Sequence, residues 1–319
     1  MAQTVTVNRD RSPLTVDQLR AGAPSIFAEA PHDSRSNRYL YVPTIEMVEA
    51  LDAEGFKPVW ASQAKTRDAS RTNFTKHMIR FCRPGDGQEA LATLRSQYGA
   101  HHMIQRDDTV QSPTWGEIVL TNAHDGSSSV QESSGVFCYA CSNGLIASAG
   151  QGDTFRFNHT AKWRDDIIEG AYRVIDNLTG PVAEQIGAMQ GRELSQPERL
   201  LLAEHAATLR WHGDTPPVPS ADMLRVRRTS DRDQNAWTTL NVLQENAIRG
   251  GLPYTHGTGW NRQQRHTGAV TGIDDLTKIN RGIWEAVTTL TTGNRVDLAA
   301  DMFARLSPEE RGQLAQRFS

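Results

Sequence analysis

A chain of 319 residues with a formal net charge of −3 and 38% hydrophobic residues suits one large domain or two ordinary ones, with polar loops or arms besides. That charge argues against bulk polycationic binding to nucleic acid or membranes, though not against a local basic groove. Three cysteines make no disulfide framework, MAQTVTVNRDRSPL has no apolar core for a signal peptide, and no window approaches the ~20 apolar residues of a membrane span, so a cytoplasmic protein is expected.

In chain order, residues 1–36 read as a polar arm, mobile or paired with a neighbour, with Thr15 placed to cap a short turn through Leu19. Tyr39 to Val42 reads as a short strand. Thr44 is placed to cap a helix with Ile45, Val48 and Leu51 on one face, stopped by Gly55. Pro58 to Gln63 and Phe74 to Arg83 are strands, joined by the polar KTRDASRTN. His101 to Asp107 is a further strand candidate.

The most coherent stretch is WGEIVLTNAHDGSSSVQESSGVFCYACSNGLIASAG, Trp115 to Gly150. Strand-like runs alternate there with Asp125-Gly126 and Asn143-Gly144, the pairs that supply positive φ in two-residue hairpin turns. The reading is a β-meander at the centre of an antiparallel sheet. Thr154 to Asn158 follows as a strand. Ile167, Ala171, Val174, Ile175 and Leu178 then mark a helix, with Asp165 and Asp166 at its start. Gly180-Pro181 interrupts the pattern, which Val182, Ile186 and Met189 continue. Ser195 and Glu198 form a capping box for a helix to Trp211. HGDTPPVPSA reads as a linker. Helices are expected over Met223 to Arg228, Ala236 to Ile248, Leu276 to Leu290 and, opening at Ser307, near the C-terminus.

The expected fold is therefore α+β: an antiparallel β-meander sheet packed by helices, with a helical C-terminal third. The expected organisation is an arm over 1–36, a core over 37–211, a linker over 212–222 and a helical region over 223–319.

Candidate chemistry is sparse. His124-Asp125 with Ser127 to Ser129 behind it has the residue types of a nucleophilic site, but Asp-Gly and Ser are also what such a turn uses. Adjacent residues on an extended chain also point to opposite faces. Cys138 and Cys141 could be half a zinc site, but a structural zinc needs four ligands, with only Cys82 and His159 to complete the set. Buried apolar cysteines are the alternative. No catalytic residue, metal or cofactor is expected.

The basic residues say more. Lys65, Arg67, Arg71, Lys76, Arg80, Arg83, Arg95 and Arg106 outnumber the acids around them, and Phe74, Phe81 and Tyr98 interleave them. Lys76 and Arg80, four apart on a strand, share a face and could follow a phosphate backbone. Arg156, Lys162 and Arg164 with Trp163 form a second cluster. The competing reading is a solvated sheet face.

LTNAHDGSSSVQ, FCYACSNGLIAS, the His159 to Trp163 spacing, and the later AWTTLNVLQENAIRGGL and GIDDLTKINRGIWEAV together resemble the phage/plasmid-like family of domain of unknown function 932. The resemblance runs from about Gly55 to about Val287, with His124, Asp125, Gly126, Cys141, Asn143 and Gly144 as its motif positions. It implies a protein of phages, plasmids and integrated elements, and brings no assigned activity. The architecture is also distantly similar to Rad52-like single-strand annealing proteins, a fold-level analogy. The leading expectation is a mobile-element DNA-metabolism protein, as a monomer or a homo-oligomer, that binds single-stranded DNA and promotes annealing or recombination. An anti-defence or host-interaction protein with a protein partner is the alternative, and an enzyme using His124 and Asp125 is the third.

Overall fold

The computed structural model describes residues 12–35, 41–83, 114–138, 144–146, 154–157, 162–212, 215–227, 231–257 and 261–293. The chain divides into two compact units. One comprises Met1–Ala100, Val110–Ala183 and Thr271–Asp274, and the other His101–Thr109, Glu184–Val270 and Asp275–Ser319.

The first unit is built on an antiparallel sheet. Strands β1 (Lys57–Gln63), β2 (His77–Cys82), β3 (Thr114–Asn122), β4 (Val130–Cys138) and β5 (Gly144–Ile146) are neighbours in chain order, and β6 (Thr154–Phe157) also pairs with β4. The meander is thus as expected and reaches back through β1 and β2. Its first turn is not a two-residue hairpin, however. Residues 123–129 form a longer loop in which Gly126 takes φ +77° and Asp125 does not take positive φ. The Asn143-Gly144 turn lies outside the described residues except for Gly144, which opens β5.

Period-two alternation gives the sheet two different faces. Ile79, Phe81, Ile118, Leu120, Val130 and Glu132 lie on one, all buried. Helices α1 (Val16–Gly22), α2 (Thr44–Ala53) and α3 (Trp163–Thr179) supply the other half of that core. In α3 the buried positions Ile167, Gly170, Ala171, Val174 and Leu178 follow the helical repeat. Residues 12–35 are part of the packing, since Leu19 and Ile26 are buried and Thr15 makes a full capping box on α1. The opposite face carries Met78 and Val119, packed with Ile273, Trp60 and Ala64.

Three further expectations are corrected. Thr44 is the first residue of α2, not its cap, because Pro43 takes the N-cap position. Tyr41 and Val42 are not in a strand; the Tyr41 hydroxyl donates instead to Ala28 O. Among the described residues of the region expected to be a helix from Met223 to Arg228, only Met223 and Leu224 are helical, at the end of the 3-10 turn Ser220–Leu224 that buries Met223, and Arg225 is extended. His101 to Asp107 and the C-terminal helix at Ser307 lie outside the described residues.

In the second unit α5 (Gln196–Trp211) starts with the capping box of Ser195 and Glu198, and α6 (Ala236–Arg249) is capped by the Asn235 side chain. Helices α4 (Pro181–Gly191) and α7 (Ile273–Thr292) each lie partly in both units. Gln244 of α6 donates to Asn280 of α7 at 2.7 Å, with both residues buried. Between α6 and α7, where the sequence shows only a polar stretch, stands a hairpin of β7 (Pro253–His256) and β8 (Gln263–His266). No helix among the described residues is long and apolar enough to cross a membrane.

Glu132 is the anomaly of the first core. It is completely buried on β4, and neither carboxylate oxygen has a hydrogen-bond partner among the described residues. It fits only because α3 presents Gly170 to it, where an added Cβ would stand 2.2 Å from Oε2. Burial pushes its pKa well above the usual carboxylate value. The folded protein therefore holds a proton that the unfolded chain has released above pH 4.5, and this group lowers stability progressively as pH rises beyond that point. Glu132→Gln cannot titrate. Its urea midpoint should gain on that of the wild type between about pH 5 and pH 8, whereas a constant offset would contradict the assignment.

Candidate functional site

Strand register brings three connections to one end of the sheet. Gln63 stands opposite His77, His77 opposite Asn122, Thr121 opposite Gln131, and Val130 opposite Phe157. The β1–β2 connection, the β3–β4 loop and the exit from β6 toward α3 therefore meet there. Backbone hydrogen bonds clasp the loop, as His124 N donates to Phe74 O and His32 N to His124 O, both at 3.0 Å.

Beneath the loop lies a buried polar network of Ser25, Thr44, His77, Asn122 and His124. Thr44 Oγ1 is 2.8 Å from His77 Nε2, 3.0 Å from His124 Nε2, and 2.9 Å from Asn122 Nδ2, which donates to it. His77 Nδ1 faces the Thr75 carbonyl at 3.1 Å, so that nitrogen carries the proton. Burial lowers the His77 pKa to about 4, overcoming the opposite effects of Thr75 O and Asp125, so the ring is neutral at pH 7. Its Nε2 must then accept the only proton Thr44 has to give. His124 Nε2 must in turn be the N–H form, donating to Thr44. The His124 ring also packs on Tyr41 and His77, with centroids 5.0 and 5.2 Å away.

This arrangement secures a loop. Asp125 Oδ1 accepts from Ser127 N at 2.9 Å, a local turn bond. Gly126 is where the Arg35 guanidinium lies, since an added Cβ would stand 2.1 Å from its Nη1. Cys141 and Asn143 lie outside the described residues. Among those described, no group of three His, Cys, Asp or Glu side chains is placed to hold a metal ion.

The basic residues expected to line a groove divide into two classes. Lys76 and Arg80 do share a face, but both are engaged. Lys76 pairs with Asp274 at 2.7 Å, and Arg80 Nε with the fully buried Glu117 at 2.6 Å. Arg80 is only 8% exposed and also lies over the Trp60 ring, so it cannot track a phosphate backbone as placed. Arg71 pairs with Asp68 at 3.4 Å, and Arg83 lies over Phe56 and Tyr172. Lys65, Arg67, Arg156, Lys162 and Arg164 are exposed, and the Arg164 guanidinium lies 5.0 Å over the half-buried Trp163 ring. Nothing in the sequence singles out Thr44, Ser25, Asn122 and Arg35 as a group, since each is an ordinary polar residue and no local spacing joins them.

Residues 31–284 match the family described as domain of unknown function (DUF932). The chain belongs to the DUF932 family. It is 37% identical over 286 residues to "UPF0380 protein YfjQ" of Escherichia coli (strain K12), covering 90% of this chain and 94% of that one. "UPF0380 protein YafZ" of the same organism matches with the same identity and coverage. Neither name states an activity. No solved structure matches. The DUF932 match spans the whole described sheet and both segments that clasp the loop.

Two outcomes follow from this geometry. Because burial lowers the His77 pKa from the ordinary 6.5 to about 4, its contribution to stability is complete above pH 6.5. It is lost as pH falls toward 4, roughly 3 kcal/mol in all. His77→Gln should be the less stable protein at pH 7, and its deficit should shrink in urea titrations repeated toward pH 4. Arg80→Ala should cost about 3–5 kcal/mol of unfolding free energy, because it removes the guanidinium that pairs with the fully buried Glu117 carboxylate.

Proposed function

We propose that this protein binds single-stranded DNA at the end of the sheet where the three connections meet, and that it protects or anneals strands on a mobile element. One observation carries the reading. Arg35, Lys65 with Arg67, and Arg164 come from three separate segments to that end, and none pairs with a carboxylate among the described residues. Trp163, beside Arg164, offers a ring at the same end on which a base could stack.

The local charge is close to balanced. Asp33, Asp68, Asp125, Asp165 and Asp166 stand nearby, although Asp68 is occupied by Ser70 and Arg71 and Asp125 by Ser127. Affinity would therefore come from a few placed cations rather than from a broad field, and would fall with salt. The mobile-element setting is the one that the family resemblance implies.

Fluorescence anisotropy with a labelled oligodeoxythymidylate tests this reading. Lys65 and Arg67 are exposed, so the double variant Lys65→Ala/Arg67→Ala should keep its melting temperature. It should bind more weakly, with the slope of log affinity against log salt flattened by roughly 0.7 for each phosphate no longer neutralised. An unchanged affinity and slope would reject this end of the sheet as the binding site and favour a protein partner instead.

A further inference from the structure

The β7–β8 hairpin has no evident role in holding the second unit together. Its strands pair in register, Pro253 with His266, Tyr254 with Arg265, Thr255 with Gln264 and His256 with Gln263. Every residue of the two strands is exposed except Tyr254, which is half-buried. A lone two-stranded hairpin with no apolar face is marginal in water. Gln, Arg and His, which make up β8, are not the β-branched or aromatic residues that favour strands.

Its root, by contrast, is firmly held. Gly251 N donates to Thr267 O at 2.7 Å, Thr267 N to Leu252 O at 2.9 Å, and Leu252 N to the Thr267 hydroxyl at 3.1 Å. Gly250, at φ +68°, lies so close to Gly268 that an added Cβ would stand 2.3 Å from its carbonyl oxygen. Arg227 and Arg210 donate to the Gly250 and Gly268 carbonyls. The result is a polar ribbon projecting from an anchored base, where local propensity and structure conflict as they do at contact sites.

The charge on the ribbon is one-sided. Between Glu245 and Asp274 the sequence has no acidic residue, although acids outnumber Lys and Arg 37 to 34 in the whole chain. Arg262 and Arg265 meet no carboxylate among the described residues, and Arg265 donates to Gln263 at 3.3 Å. Directly paired residues share a face, so Tyr254, His256, Gln263 and Arg265 lie together on one side. An aromatic ring, a guanidinium, an imidazole and an amide in one row are suited to stacking on a base and to donating to phosphates.

We infer that the β7–β8 ribbon is a second contact element for single-stranded nucleic acid, with Tyr254 stacking on a base and Arg262 and Arg265 neutralising phosphates. The inference rests on the DNA-binding reading but places a contact in the other unit, where separate variants can probe it. Arg262→Ala/Arg265→Ala and Tyr254→Ala are compared with wild type against the same labelled oligodeoxythymidylate over a salt series. Thr255→Ala on the opposite face serves as the control, and thermal melts verify folding. The arginine pair should flatten the salt slope by roughly 1.4, at about 0.7 per neutralised phosphate. Tyr254→Ala should lower affinity about tenfold with the slope unchanged, and Thr255→Ala should do neither.

If wild type binds and both ribbon variants match it, the ribbon is not a contact element, while the DNA-binding reading stands. If wild type does not bind, both fall. Ribbon-dependent binding that is tighter to a duplex of the same length would overturn the single-strand assignment in favour of a ribbon seated in a groove.

Discussion

A threonine hydroxyl has one proton to give and two lone pairs to receive, and the end of the first sheet closes around that limit. Thr44 gives its proton to His77 and receives from Asn122 and His124, so all three valences are used inside a buried site. The start of α2, the start of β2 and the end of β3 are tied together at one oxygen. The network works only while His77 is neutral, because a protonated Nε2 would compete for the same oxygen as a donor. Desolvation enforces that neutrality. The β3–β4 loop is tied to this hub through His124.

Charge is used in two ways. In the first unit several cations are turned to internal partners. Arg80 neutralises Glu117 within the sheet, Lys76 meets Asp274, and Arg83 covers two rings. Such residues specify packing, and a buried pair of this kind contributes through what its loss would expose rather than through net attraction. In the second unit the ribbon arginines meet no acid among the described residues. The same residue type thus serves as a core strut in one place and as a surface donor in the other.

Glu132 shows what the core tolerates. A carboxyl with no partner among the described residues sits under α3 because the helix carries glycine at the point of contact. Burial favours the protonated form, so an isolated charge is avoided and a pH-dependent stability takes its place. The side chain lies on the same face as Leu120 and Ile118, with the buried Ser134 two residues further along β4.

The antiparallel meander, α3, the capped start of α5 and the span of α6 are all legible in the sequence, because each is governed by local rules. Alternation places Ile118 and Leu120 on one face, the helical repeat places Ile167, Ala171 and Val174 on one side, and the Ser195–Glu198 box is complete within four residues. The basic excess before β3 is legible too, but not the fate of each charge. Arg80 reads as a strand cation until Glu117, on the neighbouring strand and 37 positions away, is placed beside it. Thr44 reads as a helix cap until His77 and His124 arrive from 33 and 80 positions away. The β7–β8 hairpin is hidden because its strands have no apolar alternation, and only the anchoring of Gly250 and Thr267 defines them. Local spacing fixes secondary structure because its forces act within a few residues. Burial and pairing of a charge depend on residues that are distant in the chain, so only the folded chain decides which cations are spent inside and which face solvent.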